Sequence, residues 1–231
     1  MTLIAPSILA ADFAQLGKAL DTIGAMGASR VHIDVMDGHF TPEISVGQPV
    51  IASLRKATKL ELDVHLMIER PERFIEDFAA AGADRLAIHA EATPDAYRAI
   101  KMVKNRGVKA GLALNVMTPI ETGLQLLEDL DYLLILTSLT GSGEERFVSG
   151  VVNKVRIAAK ERTRRGLDVS IEVEGGIGLR EAEELILAGT DILVPGFAIF
   201  DKNSRNEMIR VLAGSMGSFA NRGQKAKAEI H

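Results

Sequence analysis

Three short stretches put chemistry-bearing side chains where an interior strand ordinarily carries apolar ones. In Val31-His32-Ile33-Asp34-Val35-Met36, the residues Val31, Ile33 and Val35 alternate with His32, Asp34 and Met36. Leu62-Asp63-Val64-His65-Leu66-Met67 repeats the pattern, with Asp63, His65 and Met67 on the face opposite Leu62, Val64 and Leu66. Ile171-Glu172-Val173-Glu174 places both glutamates on one face. Side chains of a strand alternate with a period of two, so each stretch predicts one apolar face and one polar face. With the apolar faces packed under helices, the polar ones aim His, Asp, His and Glu into a shared interior. Burying such groups without partners costs several kcal/mol each. A divalent cation satisfies them together, because imidazoles and carboxylates suit Zn²⁺, Fe²⁺, Mn²⁺ or Co²⁺. The competing reading gives each group its own hydrogen bond in a polar barrel end. One inward histidine alone would favour that reading, whereas four converging groups favour a site.

The elements that must carry these residues alternate along the chain. Strand-like runs fall at 3–9, 30–36, 61–67, 84–89, 108–114, 131–137, 168–174 and 191–194, and amphipathic helical segments at 12–26, 71–81, 94–105, 119–129, 148–165 and 180–188. Eight strands separated by helical spacers predict a parallel α/β sheet, and eight is the number that closes a (β/α)8 TIM barrel, with active-site groups at the C-terminal strand ends. The phrases Ala81-Gly82-Ala83-Asp84 and Ala188-Gly189-Thr190-Asp191 each stop a helix with glycine and start a strand. A doubly wound open sheet would need a glycine-rich turn after the first strand, and Pro6-Ser7-Ile8-Leu9 offers none.

Composition narrows the classes. The chain has 231 residues, 47% hydrophobic and 25% charged, which fits one barrel over 1–220 followed by a polar, flexible tail over 221–231. It has no cysteine, and its N-terminus lacks the basic-then-apolar layout of a signal peptide, so a cytoplasmic location is expected. No apolar run is long enough to span a membrane. A net charge of −4, no Trp and two Tyr argue against a nucleic-acid surface.

The motifs resemble one family. Ala5-Pro6-Ser7-Ile8-Leu9-Ala10-Ala11-Asp12-Phe13 resembles the opening signature of the ribulose-phosphate 3-epimerases. His32-Ile33-Asp34-Val35-Met36-Asp37-Gly38-His39-Phe40 and Asp63-Val64-His65-Leu66-Met67-Ile68 are similar to their second- and third-strand signatures. His89-Ala90-Glu91, Gly111-Leu112-Ala113-Leu114-Asn115 and Glu172-Val173-Glu174-Gly175-Gly176-Ile177 follow in the family's order, and the likeness covers about residues 3–200. It implies a ribulose-phosphate-binding barrel with one divalent metal per chain, zinc first, held by His32, Asp34, His65 and Glu174. It also implies that Asp34 and Glu174 are the acid and base, that Ser7, Met36, His65 and Met67 line the substrate site, and that the protein is a homo-oligomer.

That constellation suits epimerisation beside a ketone. Inverting such a carbon removes its proton on one face and returns one on the other, which needs two acid/base groups; Asp34 and Glu174 can face each other across the barrel mouth. A metal stabilises the enediolate electrostatically. Met36 and Met67 supply an apolar lining that excludes water, core packing being their other reading. A phosphate handle is expected against Gly175, Gly176 and Gly196, which open the seventh and eighth βα loops, with Phe197 beside it.

The chain departs from the family pattern in four places. Glu174 stands where the family has aspartate. The sixth-strand loop reads Leu136-Thr137-Ser138-Leu139-Thr140-Gly141-Ser142-Gly143-Glu144-Glu145, without the family's Asn-Pro and with Leu136 in place of a methionine. Gly196-Phe197 replaces Gly-Ser, and Asn115-Val116-Met117-Thr118 replaces an Asn-Pro-x-Thr phrase. The metal and proton-transfer half is nearly intact and the phosphate half is rebuilt. The expected reaction is therefore 3-epimerisation of D-ribulose 5-phosphate to D-xylulose 5-phosphate. Another ketose phosphate or a non-phosphorylated keto-sugar is the second reading, and a barrel that has lost its chemistry the third. Retention of His32, Asp34, His65 and an acidic group at 174 counts against the last.

Overall fold

The computed structural model describes residues 2–139 and 146–200, so the expected tail and the loop positions Glu144 and Glu145 lie outside the described residues. Eight parallel strands form the sheet: β1 (Leu3–Ile4), β2 (Arg30–Met36), β3 (Glu61–Met67), β4 (Arg85–His89), β5 (Lys109–Leu114), β6 (Tyr132–Leu136), β7 (Ser170–Glu174) and β8 (Ile192–Val194). Their order is β1-β8-β7-β6-β5-β4-β3-β2. The chain just past β1 approaches β2 to bring the two ends together: the amide of His32 donates to the carbonyl of Pro6 at 2.9 Å, and Ser7 bridges His32. This is the (β/α)8 barrel that the alternating pattern predicts.

Helices α1 (Leu16–Ala25), α2 (Gln48–Ala57), α3 (Ile75–Ala81), α4 (Ala96–Asn105), α5 (Ile120–Leu124), α6 (Val151–Arg165), α7 (Leu179–Ala188) and α8 (Phe197–Phe200) follow the strands in turn. The outward strand residues Val31, Ile33, Val64, Leu66, Ile88, Leu112, Ile135 and Val173 are buried in one cluster with Leu20, Ile51, Phe78, Ile100, Val155 and Leu185 of the helices. Each such side chain contributes about 1.5–3 kcal/mol through burial, so strand parity is strongly fixed. Helices α3 and α7 end at Gly82 and Gly189, in left-handed backbone at φ 109° and 112°.

Two elements differ from the sequence reading. The first strand, expected over 3–9, ends at Ile4, and Ile8–Ala10 forms a 3₁₀ turn. Pro6 cannot donate to a ladder, and the Ser7 hydroxyl caps the turn by accepting from the amide of Leu9 at 3.2 Å. Helix α2 carries too weak a pattern to be read from the sequence. It opens with Pro49 in its first turn and buries only Ile51 and Leu54, too short an apolar stripe to stand out. Among the described residues, no helix is long and apolar enough to cross a membrane.

Candidate active site and metal centre

The inward faces of the strands bring the chemistry-bearing residues together. Asp34 and His65 are register partners on β2 and β3, and Glu174 ends β7. His32 Nε2 lies 3.3 Å from Asp34 Oδ1 and 3.3 Å from Glu174 Oε2. His65 Nδ1 lies 3.2 Å from the same Asp34 oxygen and 2.9 Å from the same Glu174 oxygen. These four ligand atoms all lie within 4.8 Å of one another. Ser7 Oγ donates to the other Asp34 oxygen, Oδ2, at 2.7 Å and so fixes that carboxylate. His32 Nε2 and Glu174 Oε2 are buried without a hydrogen-bond partner. Buried polar atoms that lack a hydrogen bond and gather around one point form an arrangement a divalent cation satisfies. The residues present fit such an ion.

The electrostatics show that these groups stabilise one another's charged forms against their burial. Burial opposes a charge on His32, but the Glu174 and Asp34 carboxylates outweigh it and hold the imidazole well above its ordinary pKa. His65 is pushed up to about 9 in the same way, with burial opposing and Glu174 and Asp34 prevailing. Burial likewise opposes ionisation of Asp34, yet the charges and hydrogen bonds of His32 and His65 hold it well below the usual carboxylate range.

Beneath this layer the barrel holds an ionic cluster beside the apolar Ala87, Ala113 and Leu134. His32 Nδ1 faces Asp63 Oδ2 at 3.4 Å and Glu172 Oε1 at 3.3 Å. Arg85, on β4, reaches Asp63 Oδ1 through Nε at 3.2 Å and Glu172 Oε2 through Nη2 at 3.0 Å. The guanidinium also lies 3.9 Å over the Tyr132 ring, whose hydroxyl donates to Asp63 at 3.2 Å. His32, Asp63 and Glu172 could by composition hold an ion too, but here Arg85 already supplies the cation. Burial, and then the Asp63 charge, raise Glu172 to about 7, while Asp63 is held low because Arg85 and His32 outweigh its burial.

To the other side, His65 Nε2 lies 2.9 Å from His89 Nε2, and His89 Nδ1 lies 2.9 Å from Glu91 Oε2. Burial lowers the His89 pKa, and the neighbouring His65 charge lowers it further. Arg85, Tyr132, His89 and Glu91 were not singled out for a role from sequence. The parity of β4, which puts Arg85, Ala87 and His89 on one face, was the signal available.

Met36 and Met67 are register partners and are both buried. Gly175 and Gly176 adopt positive φ, 107° and 56°, in the turn after β7, and a side chain on Gly175 would strike Ser138 of the neighbouring loop. Gly196 precedes α8; the side chain of Phe197 lies outside the described residues. Leu136, in place of a family methionine, is buried at the end of β6.

The sequence profile of the ribulose-phosphate 3 epimerase family matches residues 3–200. Ribulose-phosphate 3-epimerase of Bacillus subtilis is 43% identical over 216 residues, covering 93% of this chain and 100% of that one. The chain belongs to the ribulose-phosphate 3-epimerase family. With that family it is an isomerase, an epimerase acting on carbohydrates. The Escherichia coli K12 relative of the same name is 38% identical, covering 90% of this chain and 92% of its own. Among solved structures, 3-keto-L-gulonate-6-phosphate decarboxylase of Vibrio cholerae superposes with a TM-score of 0.67 at 14% identity, covering 94% of this chain and 98% of that one. The 3-hexulose-6-phosphate synthase of Salmonella typhimurium gives 0.66 at 16%, covering 93% and 100%. At such identities these likenesses show the fold alone.

Proposed function

We propose that this member of the ribulose-phosphate 3-epimerase family interconverts D-ribulose 5-phosphate and D-xylulose 5-phosphate by two-base proton transfer, with one divalent metal held by His32, Asp34, His65 and Glu174. The observation that carries the proposal is the convergence of Asp34 and Glu174, from β2 and β7, on the same two imidazole nitrogens, with His32 Nε2 and Glu174 Oε2 lacking hydrogen bonds. Zinc is the first candidate for this set of nitrogen and oxygen donors. When bound, the ion supplies electrostatic stabilisation for negative charge developing on the ketone oxygen.

The protein's own groups do the rest. One carboxylate takes the proton beside the ketone, giving the planar enediolate, and the other returns a proton to the opposite face. Asp34 is held in place by the Ser7 hydroxyl, so its second oxygen is oriented before substrate arrives. Glu174 has a side chain 14% exposed against 1% for Asp34, which gives the longer carboxylate the more open access to the mouth. Met36 and Met67 exclude water from the layer above. Backbone amides around Gly175, Gly176 and Gly196 are the proposed phosphate cradle.

Incubating the zinc-loaded protein with D-ribulose 5-phosphate in deuterated water tests this. Deuterium should enter at C3 as D-xylulose 5-phosphate forms, and a chelator should stop both. Exchange confined to a different ketose phosphate or a free keto-sugar would move the reading to that substrate, which the altered residues at 140–145 and 197 favour. No exchange with any ketose would leave the barrel without the proposed chemistry.

A further inference from the structure

We propose that His89 and Glu91 form a hydrogen-bond relay that fixes a hydrogen of His65 on Nε2, leaving Nδ1 as the nitrogen of that imidazole that a metal would take. The proposal rests on the metal reading above and concerns residues to which that reading gives no part. It starts from Glu91, an acceptor-only group when ionised. Burial opposes that ionisation, but hydrogen bonds from His89, Thr118 and Asn115 hold the carboxyl at about 2. Oε1 accepts from the amide of Asn115 at 2.8 Å and from the Thr118 hydroxyl, and Oε2 faces His89 Nδ1 at 2.9 Å. The hydrogen in that last contact therefore sits on His89 Nδ1.

The direction then propagates. A neutral imidazole has one N–H, so His89 Nε2 is left as an acceptor. It lies 2.9 Å from His65 Nε2, which must carry the hydrogen between them. His65 Nδ1 is consequently the nitrogen left to offer a lone pair, and it is the one turned to Asp34 and Glu174. Without the relay, a neutral His65 could place its hydrogen on Nδ1, donate to either carboxylate and block the site.

The surroundings hold the relay still. His65 and His89 stack with ring centroids 5.0 Å apart, and Phe40 packs on His89 at 4.7 Å. Lys154 of α6 donates to the carbonyls of Val116 and Thr118, tying down the loop that supplies two of the hydrogen bonds to Glu91. His32 is oriented differently, since its far nitrogen meets Asp63 and Glu172 directly. His89 and Glu91 are positioning residues: they act through His65.

Glu91→Gln tests this, because the amide can donate as well as accept and no longer dictates the direction. Zinc affinity, measured on the full chain by competition with a chromophoric chelator, should fall about 10- to 100-fold. The melting of the metal-free protein should stay close to that of the unaltered chain. Equal zinc affinity in Glu91→Gln and the unaltered protein would overturn the relay alone; an unaltered protein that binds no zinc would overturn the metal reading and the relay together. Should Glu91→Gln fail to fold, ¹⁵N NMR of the zinc-loaded unaltered protein decides. Hydrogens on His65 Nε2 and His89 Nδ1 are expected, and a hydrogen on His89 Nε2 would overturn the proposal.

Discussion

Asp34 has two oxygens with different neighbours. Oδ1 meets the nitrogens of His32 and His65, and Oδ2 takes the Ser7 hydroxyl. Glu174 meets the same nitrogens from the other side of the barrel, one methylene longer than the family's aspartate. If each carboxylate serves one face of the substrate, Asp34→Asn and Glu174→Gln should each lower epimerisation about 100- to 10,000-fold, as losing a general acid or base does. Each variant should still exchange the C3 hydrogen of the one epimer that its remaining base reaches. Following deuterium uptake from each epimer separately checks this, with metal content assayed first because both residues are proposed ligands. A Glu174→Gln protein that keeps its metal and epimerises at the unaltered rate would remove Glu174 as a base. At this scale the sequence was informative where parity was strict: His32, Asp34, His65 and Glu174 were all legible. Arg85 and His89 followed the same parity, but the Arg85 partners Glu172 and Tyr132 come from other strands, and no spacing announces such contacts.

The strands carry a second consequence of that parity. Outward residues build an aliphatic core with the helices, while the middle of the barrel holds Asp63, Arg85, Glu172 and Tyr132 beside Ala87, Ala113 and Leu134. An ionic filling demands close geometry, because each buried charge is stable only beside its partners. Gly111, on β5, is part of that fit: a side chain there would fall inside the Tyr132 ring, which is fully buried beneath Arg85 and cannot swing away. Gly111→Ala should therefore lose about 1–3 kcal/mol through overpacking, read as a lower midpoint in denaturant. An unchanged midpoint would mean that the ring relocates freely and that the layer is less constrained than its contacts imply. Strands β2 and β3 match the sequence reading to the residue because seven-residue runs with one apolar face leave no other register. The end of β1 was not legible, since the Ser7 cap competes with strand pairing only once β2 is beside it.

For the molecule as a whole, the mouth is a proton store when no metal is bound. His65 sits at about 9 because Glu174 and Asp34 outweigh its burial, and His32 is raised too. The His65 value exceeds the ordinary 6.5 and His32 is shifted in the same direction, so at neutral pH His65 carries a proton on a nitrogen that a metal needs. Zinc affinity should consequently rise with pH, by at most about tenfold per pH unit for each proton displaced, and level off above about pH 9. The metal-free protein should show the opposite trend. The stability His65 contributes is fully present below 6.5 and is lost as pH rises through about 9. Zinc titrations and chelated melts across that range check both signs; an affinity flat in pH would show that the imidazoles are unprotonated before the metal arrives.

The sequence by itself determined the barrel, the faces of its strands and the four groups that meet at the mouth. Those features depend on short-range periodicity, where a hydrophobic residue every second position is strongly selected by burial. Tertiary structure alone decided that Asp34 and Glu174 share the same pair of imidazole nitrogens, that Arg85 neutralises the acids below, and that His89 meets His65. Each of these is a contact between side chains far apart in the chain, set by the stagger of strands around a closed sheet. Stagger is fixed only when all the strands are in place, so no local pattern contains it.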